Sequence, residues 1–212
     1  MTYFTGSSVR LRPAGPDDVE ALARIRARPE VWRRWRGEDI EAEIADDLAS
    51  DELHLLVIEN QAGTTIGGIQ WQEEADPDYR HASIDIFLDP AVHGRGYGAD
   101  AVHTLVQHLT RDRGHHRLTI DPAADNEPAI RCYAKVGFRP VGTLREYERG
   151  PDGTWHDGLL MELVASDLAD RVRHECDSPP AATPPNGEPS TSQRTSGSPT
   201  DAQPEDIGRH LE

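Results

Sequence analysis

The segment from Ser83 to His108 constrains the fold of this chain more than any other. It begins as a strand in which polar and apolar residues alternate, passes through the loop DPAVHGRGYGADA and continues as a long amphipathic helix. The loop places glycines at 94, 96 and 98 just before the helix. Glycines let the backbone approach an anion closely, and a helix N-terminus supplies unpaired N–H groups and positive potential. This pattern predicts a pyrophosphate-binding loop.

Two other interpretations of the loop remain open. One is a tight turn without a ligand, although three alternating glycines exceed what a single turn needs. The other is a dinucleotide-binding fingerprint, which the spacing of Gly94, Gly96 and Ala99 also fits. That fingerprint belongs to the first strand–helix unit of a parallel sheet. Here the loop follows three or four strands of antiparallel character, and no second mononucleotide-binding half follows it.

The rest of the sequence predicts an α/β (α+β) domain with a mixed, mostly antiparallel central sheet flanked by helices. In the strand before the loop, Ile84 and Ile86 share one face, whereas Asp85 and Phe87 share the other. Asp17 with Asp18 is predicted to cap the first helix. Periodicity and turn residues predict strands at 8–13, 53–59, 64–73, 80–88, 116–120, 138–147 and 155–163, and helices at 19–28, 30–50 with a break at 37, 98–113 and 127–136.

The composition divides the chain into two parts. From Asp177 to Glu212 it becomes rich in Pro, Ser and Thr, with almost no large apolar residue. We therefore predict a folded domain at 1–168 and a disordered acidic tail at 169–212. The chain has 38 Asp and Glu against 22 Lys and Arg, a net charge of −16. Residues 165–212 carry −5 of this, which leaves −11 for the folded part.

This charge excludes several functions. Binding to nucleic acid or to an anionic membrane needs a basic surface, so neither partner is expected. No apolar run approaches the ~18 residues of a membrane span, and the N-terminus lacks a signal peptide's apolar core. Two cysteines, Cys132 and Cys176, are too few for a disulfide scaffold, so a cytoplasmic protein is expected. The ten histidines show no helical zinc-binding spacing, so no metal is expected.

Two motifs, in this order and spacing, resemble the GCN5-related N-acetyltransferase (GNAT) superfamily. HGRGYGA is similar to the family's acetyl-CoA pyrophosphate loop, Gln/Arg-x-x-Gly-x-Gly/Ala, with His93 where Gln or Arg is usual. DNEPAIRCYAKVGF, at 125–138, is similar to the second signature, Asn-x-x-Ala-x-x-x-Tyr-x-x-x-Gly-Phe. The resemblance covers about residues 8–164. It implies the GNAT acyl-CoA transferase fold, with acetyl-CoA as the acyl donor.

The same resemblance implies a donor site. Tyr133, at the family's tyrosine position, would protonate the leaving thiolate. The residues expected to contact acetyl-CoA are Phe87, Leu88, His93, Gly94, Arg95, Gly96, Tyr97, Gly98, Ala99 and Asn126.

A closer resemblance, to the aminoglycoside 6'-N-acetyltransferases, rests on EEADPDYRHASIDIFL, TIDPAADNEPAIRCYAKVGF and VWRRW. It implies Asp85 as the base, Asp121 as a contact to a polycationic acceptor, and further acceptor contacts at Trp35 and Glu73. Trp32 and Trp35 are three apart, which predicts one helical face for both. Siderophore lysine N-acyltransferases share much of this pattern, and the long hairpin LREYERGPDGTWHDGLLMEL departs from it.

The chemistry also follows from the residues themselves. A carboxylate such as Asp85 can take the proton of an alkylammonium nucleophile. A backbone N–H at 87–89, where the strand leaves its neighbour, can hold the carbonyl oxygen. Plainer interpretations remain open: Asp85 as a solvated carboxylate, Tyr133 and Trp35 as core residues, and Asp121 as the start of a turn.

We therefore predict an acetyl-CoA-dependent N-acetyltransferase, a monomer or homodimer, that acts on the primary amine of an aminoglycoside or another small polycation. The alternatives are an N-acyltransferase for a lysine-like siderophore precursor or a protein N-terminus, and a non-catalytic acyl-CoA sensor. A cationic acceptor suits the carboxylates that accumulate near the predicted site: Glu73, Glu74, Asp76, Asp78, Asp85, Asp121, Asp125 and Glu127.

Overall fold

The computed structural model describes residues 3–168, so the predicted tail and Cys176 lie outside the described residues. Eight strands form one mixed sheet in the order β1-β2-β3-β4-β5-β6-β8-β7. The strands are β1 (Phe4–Thr5), β2 (Val9–Pro13), β3 (Leu53–Asn60), β4 (Thr65–Glu73), β5 (Ala82–Leu88), β6 (Arg117–Ile120), β7 (Arg139–Arg149) and β8 (Trp155–Val164). The α-helices are α1 (Val19–Arg26), α2 (Pro29–Trp32), α3 (Ile40–Ala49), α4 (Tyr97–Gln107) and α5 (Glu127–Val136).

The predicted fold class is confirmed, and most elements lie within a few residues of their predicted bounds. The fourth helix is an exception, because its last predicted turns, His108–Asp112, form a π-helical turn. Asp18 is the N-cap residue of α1 as predicted, but its side chain accepts no hydrogen bond from that helix. Its carboxylate instead accepts two hydrogen bonds from Arg12, both at 2.7 Å, and one from the N–H of Gly15 at 2.9 Å.

The sheet is covered on both faces. On one face α4 and α5 pack on a large core that includes Leu56, Ile69 and Ile84. On the other face α1 and α3 pack on a smaller core that includes Leu22, Val57 and Phe87. The alternation along β5 is therefore confirmed, since Ile84 belongs to the first core and Phe87 to the second.

The sheet opens between β5 and β6. This pair is the only parallel neighbour pair among the eight strands, and its register covers only Ala82 with Leu118 and Ser83 with Thr119. Beyond Ser83, β5 continues along β4 as far as Leu88 without pairing to β6. The second half of β5 therefore borders a gap in the sheet, and the predicted site residues lie around this gap.

Within residues 3–168, no helix is both long enough and apolar enough to cross a lipid bilayer.

Candidate active site

The glycine loop leads directly from β5 into α4. Gly94 and Gly96 have φ values of 75° and 85°, a left-handed conformation that residues with a side chain adopt at a cost. A Cβ at either position would meet no atom within 4 Å, so the loop faces open space. Gly96 is the N-cap residue of α4, and the first N–H groups of a helix lack intrahelical partners. These N–H groups, the positive helix end and the open space fit a pyrophosphate.

The two side chains predicted beside this loop make local contacts. His93 stands where the family has Gln or Arg, and its Nε2 lies 3.2 Å from the carbonyl oxygen of Leu88. Asn126 caps α5 by accepting the N–H of Ala129 at 3.4 Å. A pyrophosphate at this loop would therefore be held mainly by backbone N–H groups.

Three elements meet tightly behind the loop. A Cβ on Gly98, in the first turn of α4, would lie 3.3 Å from Leu88 Cδ1 of β5 and 3.6 Å from Cys132 Sγ of α5. Because Gly98 has no side chain, α4 can begin close to the end of β5. This packing sets the helix N-terminus beside the gap in the sheet.

Asp85 lies on β5 opposite Gln70 of β4, on the sheet face that α1 and α3 cover. The side chain is accessible to water, yet the surrounding protein removes enough hydration to raise the pKa of Asp85 to about 7. The N–H of Ile86 donates to Asp85 Oδ1 at 2.8 Å and opposes this rise, whereas the charges of Asp121 and Glu148 add to it. A base is most effective when its pKa is close to the working pH.

The ladder of β4 and β5 identifies the backbone N–H that faces the gap. The N–H of Asp89 donates to Ile66 O at 2.8 Å, towards β4. Along an antiparallel strand, successive N–H groups point to alternate sides. The N–H of Leu88 therefore points away from β4 and into the gap. Of the N–H groups at 87–89 that the sequence offered for the carbonyl oxygen, the one that faces the gap is that of Leu88.

Tyr133 approaches the gap from the other face. It is buried on α5 within the core beneath α4, and its ring lies edge-on to Phe138 at 6.4 Å. Burial, and then the charge of Asp85, raise the pKa of the Tyr133 hydroxyl well above its usual value. The hydroxyl accordingly stays protonated at neutral pH. Asp85 and Tyr133 thus lie on opposite faces of the sheet, with the gap between them.

Asp121 belongs to a polar group on the far side of the gap. It follows β6, and Tyr147 and Glu148 lie on β7. A hydrogen bond to Asp121 raises the pKa of Tyr147 to about 12. In the sequence, the hairpin that contains Tyr147 and Glu148 stands out only because it departs from the family pattern. Sequence reasoning therefore did not identify these two residues as candidate site residues. The extra length of the hairpin was the available signal.

Gln70 is another residue that the sequence did not single out. Its Oε1 is buried and has no hydrogen-bond partner within residues 3–168. Strand alternation together with hairpin register puts Gln70 beside Asp85, so a correct pairing of β4 with β5 would have found it.

The structure separates Glu73 from the other predicted acceptor residues. Strand alternation puts Glu73 on the face of Trp71, opposite to Asp85. Its carboxylate lies 3.1 Å from Arg113 Nη2 and 3.0 Å from Nε2 of buried His115. Burial lowers the pKa of His115, so Arg113 is the cation that pairs with Glu73 on the α4 side of the sheet.

Trp35 does lie near Asp85, though not as expected. The prediction of one helical face for Trp32 and Trp35 is wrong, because α2 ends at Trp32. Trp35 is half-buried in the following turn, and its ring lies 4.9 Å from that of Phe87, edge-on. The pair forms a wall next to Asp85.

No group of three or more His, Cys, Asp or Glu within residues 3–168 is placed to hold a metal ion.

Comparison with known proteins agrees with this geometry. The model of the acetyltransferase (GNAT) domain matches residues 8–139. The chain belongs to the GNAT family. The resemblance inferred from the two motifs is confirmed, and acetyl transfer is the activity that the family establishes.

Individual relatives agree with the family. The aminoglycoside N(6')-acetyltransferase type 1 of Klebsiella pneumoniae is 31% identical over 168 residues, which cover 70% of this chain and 81% of that protein. A solved structure of AAC(6')-Ib in complex with paromomycin and acetyl-CoA is 26% identical, with a TM-score of 0.64 over 77% of this chain and 97% of that one.

A chimera of spermidine N-acetyltransferase SpeG from Vibrio cholerae and hSSAT has a TM-score of 0.69 at 20% identity, over 78% of this chain and 100% of that one. At this identity the likeness shows the fold.

Proposed function

We propose that this GNAT protein transfers the acetyl group of acetyl-CoA to a primary amine of a polycationic small molecule, with a 6'-amino aminoglycoside as the first candidate. The observation that carries the proposal is the group of carboxylates around the gap. Asp85, Asp121 and Glu148 come from three separate strands or strand ends. Desolvation raises the pKa of Asp85, and the charges of Asp121 and Glu148 add to that rise. Such a group attracts and binds ammonium ions.

The donor side of the proposal rests on the loop. The backbone N–H groups around Gly96 and the N-terminus of α4 would bind the pyrophosphate of acetyl-CoA. Solved relatives that contain CoA or acetyl-CoA support this choice of donor. A donor bound here would extend its thioester towards the gap between β5 and β6.

Each step of the transfer has a candidate group. The Asp85 carboxylate takes a proton from the acceptor's ammonium ion, and the freed amine attacks the thioester carbonyl carbon. The N–H of Leu88 donates to the carbonyl oxygen as it gains negative charge. The C–S bond then breaks, and the Tyr133 hydroxyl protonates the thiolate. The new amide nitrogen loses its second proton, which restores the Tyr133 hydroxyl, and Asp85 releases its own proton to water. The acceptor approaches from the α1 side, and the thiol leaves on the α5 side.

An acceptor panel tests the proposal. Purified protein is incubated with acetyl-CoA and each acceptor, and the released thiol is measured. The panel contains two aminoglycosides that differ only in an amino or a hydroxyl group at position 6', a linear polyamine, lysine and a peptide with a free N-terminus. We expect the 6'-amino aminoglycoside to give the highest kcat/KM and its 6'-hydroxyl partner to give little or none.

Other outcomes would contradict the proposal. A preference for lysine or the peptide would indicate the siderophore-type or N-terminal acceptor class instead. Saturable acetyl-CoA binding without transfer to any amine would indicate a non-catalytic sensor.

A further inference from the structure

Residues 33–36, with the sequence RRWR, form a segment that we call the arginine segment. It follows α2 on the side of the sheet that Asp85 faces. Trp35 anchors it, because its ring packs edge-on against Phe87 at 4.9 Å. The segment therefore lies along the wall of the proposed acceptor site.

Two of its three arginines reach carboxylates on the opposite side of the gap. Arg34 Nη1 lies 2.7 Å from Asp125 Oδ1, just before α5, and Arg36 Nη2 lies 3.6 Å from Glu148 Oε1 on β7. Arg33 is exposed and has no ion-pair partner within the part of the chain that the structure describes. The segment thus pairs two of its arginines with Asp125 and Glu148, which are carboxylates at the rim of the proposed acceptor site.

These ion pairs are exchangeable. The side chains of Arg34 and Asp125 are 33% and 73% exposed, and those of Arg36 and Glu148 are 30% and 43% exposed. Exposed ion pairs contribute little to stability, because water screens them and the long side chains lose entropy. Another cation can therefore replace either arginine at little cost.

The main chain of the segment is held independently of these pairs. Buried Arg26 donates to the carbonyl oxygen of Arg36 at 3.4 Å and to Glu43 at 2.9 Å, and its guanidinium lies over the Trp35 ring at 5.4 Å. The side chains of Arg34 and Arg36 can consequently leave their carboxylates while the segment keeps its position.

We propose that Arg34 and Arg36 determine acceptor specificity by acting as internal counterions of Asp125 and Glu148, which polycationic acceptors must displace. This inference rests on the proposed function. An acceptor with several cationic groups displaces the two arginines and forms its own ion pairs with Asp125 and Glu148. An acceptor whose only cation is the reacting amine reaches Asp85 alone and gains nothing at the rim. The site therefore favours amines that carry at least two further cations.

Steady-state kinetics of three single variants test the inference. Arg36→Gln and Arg34→Gln each free one carboxylate, whereas Arg33→Gln removes the same charge from the same segment without breaking an ion pair. For a polycationic acceptor we expect the first two variants to lower KM about two- to fivefold, the range that an exposed ion pair spans, with kcat nearly unchanged. For a monoamine acceptor, KM should match that of the wild type in all three variants.

A double-mutant cycle identifies the partner. Glu148→Gln should raise the KM of the polycation, and adding Arg36→Gln to it should have no further effect. Arg36→Lys retains the charge and should behave as the wild type. A thermal unfolding scan of each variant shows whether it is folded.

Two results would overturn the inference. One is an equal change of KM in Arg36→Gln and Arg33→Gln, which would indicate only a change of net charge. The other is an unchanged or higher KM in Arg36→Gln, which would show that freeing Glu148 does not help the polycation to bind.

The inference stays testable if the proposed function fails. When no polycation is acetylated, calorimetric titration of a linear polyamine into the acetyl-CoA-bound variants replaces KM with Kd. Tighter binding in Arg36→Gln and Arg34→Gln supports the inference, and unchanged binding contradicts it.

Discussion

The proposed donor and acceptor sides of the gap are built in different ways. The donor side is one continuous stretch, β5 to α4, and it offers mainly backbone N–H groups of residues 94–99. The acceptor side combines side chains from β5, β7, the end of β6 and the arginine segment. Backbone donors suit a ligand that is recognised in the same way whatever the neighbouring side chains are. Side chains suit selectivity among acceptors, because a single substitution can change one contact without altering the others.

This contrast predicts that only a change in backbone shape or charge disrupts the donor side strongly. Gly96→Glu forces a side chain onto a φ of 85° and places a negative charge beside the pyrophosphate. We expect affinity for CoA to fall at least ~100-fold, because like-charge contacts cost several kcal/mol. Isothermal titration with CoA measures this. The matched control is Gly114→Glu, at a φ of 71° beyond the other end of α4, and equal losses in both variants would refute the loop assignment.

On the acceptor side the largest effect should come from Asp85→Asn. Loss of a general base lowers kcat by ~10²–10⁴-fold. Since only the carboxylate form accepts a proton and the pKa of Asp85 is raised to about 7, wild-type kcat/KM should rise with pH through 7, and the variant should lack this rise. Asp46→Asn, an exposed carboxylate on α3, serves as the control.

The same substitution has a second readout, because the raised pKa of Asp85 makes its ionised form unfavourable in the folded state. Folding stability should therefore decline as the pH rises from the unfolded pKa of ~3.9 towards 7, and Asp85→Asn should remove this decline. Wild-type turnover by Asp85→Asn would exclude Asp85 as the base.

A smaller effect is expected from Asp121→Asn. The variant loses one charged contact to the acceptor, which raises acceptor KM about tenfold while affinity for CoA stays unchanged. It also removes a charge that raises the pKa of Asp85, so the limb of the pH profile should move to lower pH. Glu127→Gln removes one charge from the nearby start of α5 and is the control. A loss of CoA affinity in Asp121→Asn would contradict the assignment of Asp121 to the acceptor side alone.

The smallest effect on catalysis is expected from Asp100→Asn, in the first turn of α4. The Asp100 carboxylate accepts hydrogen bonds from Ser7 N, Ser8 N, Ser8 Oγ and Val9 N at 2.6–3.0 Å, which tie the β1–β2 turn to the helix. Desolvation opposes ionisation, but these bonds hold the pKa of Asp100 below its usual value. We expect the free energy of unfolding to fall by about 1–2 kcal/mol at neutral pH, with CoA affinity retained.

The pH dependence gives the sign of this effect. A lowered pKa means that the stabilisation is present above the unfolded value of ~3.9 and is lost as the pH falls through the folded value. Denaturant unfolding at pH 7 and pH 3 measures both. Asp112→Asn, an exposed carboxylate beyond α4, is the control, and an equal loss of stability at both pH values would contradict the assignment.

Local patterns explain what the sequence predicted well. The bounds of α5, Glu127–Val136, follow from its Asn126 cap and from Gly137. The glycine loop likewise predicted the start of α4. Errors arose where a side chain had a choice of partner. The Asp18 side chain binds Arg12 in place of an N–H of α1, and Glu73 binds Arg113 and His115 in place of facing the gap. A linear sequence does not reveal which of several partners a charged group meets.

The sequence by itself determined the family and the glycine loop before α4, because backbone conformation and short motifs depend on neighbours along the chain. It also nominated this loop as the proposed pyrophosphate site and named the two candidate catalytic residues. Only the tertiary structure decided that Asp85 and Tyr133 lie on opposite faces of an open sheet, that the N–H of Leu88 faces the gap, and that Arg36 meets Glu148. Those facts depend on the register between strands and on ion pairs between segments far apart in sequence. Such contacts are fixed by packing of the whole domain.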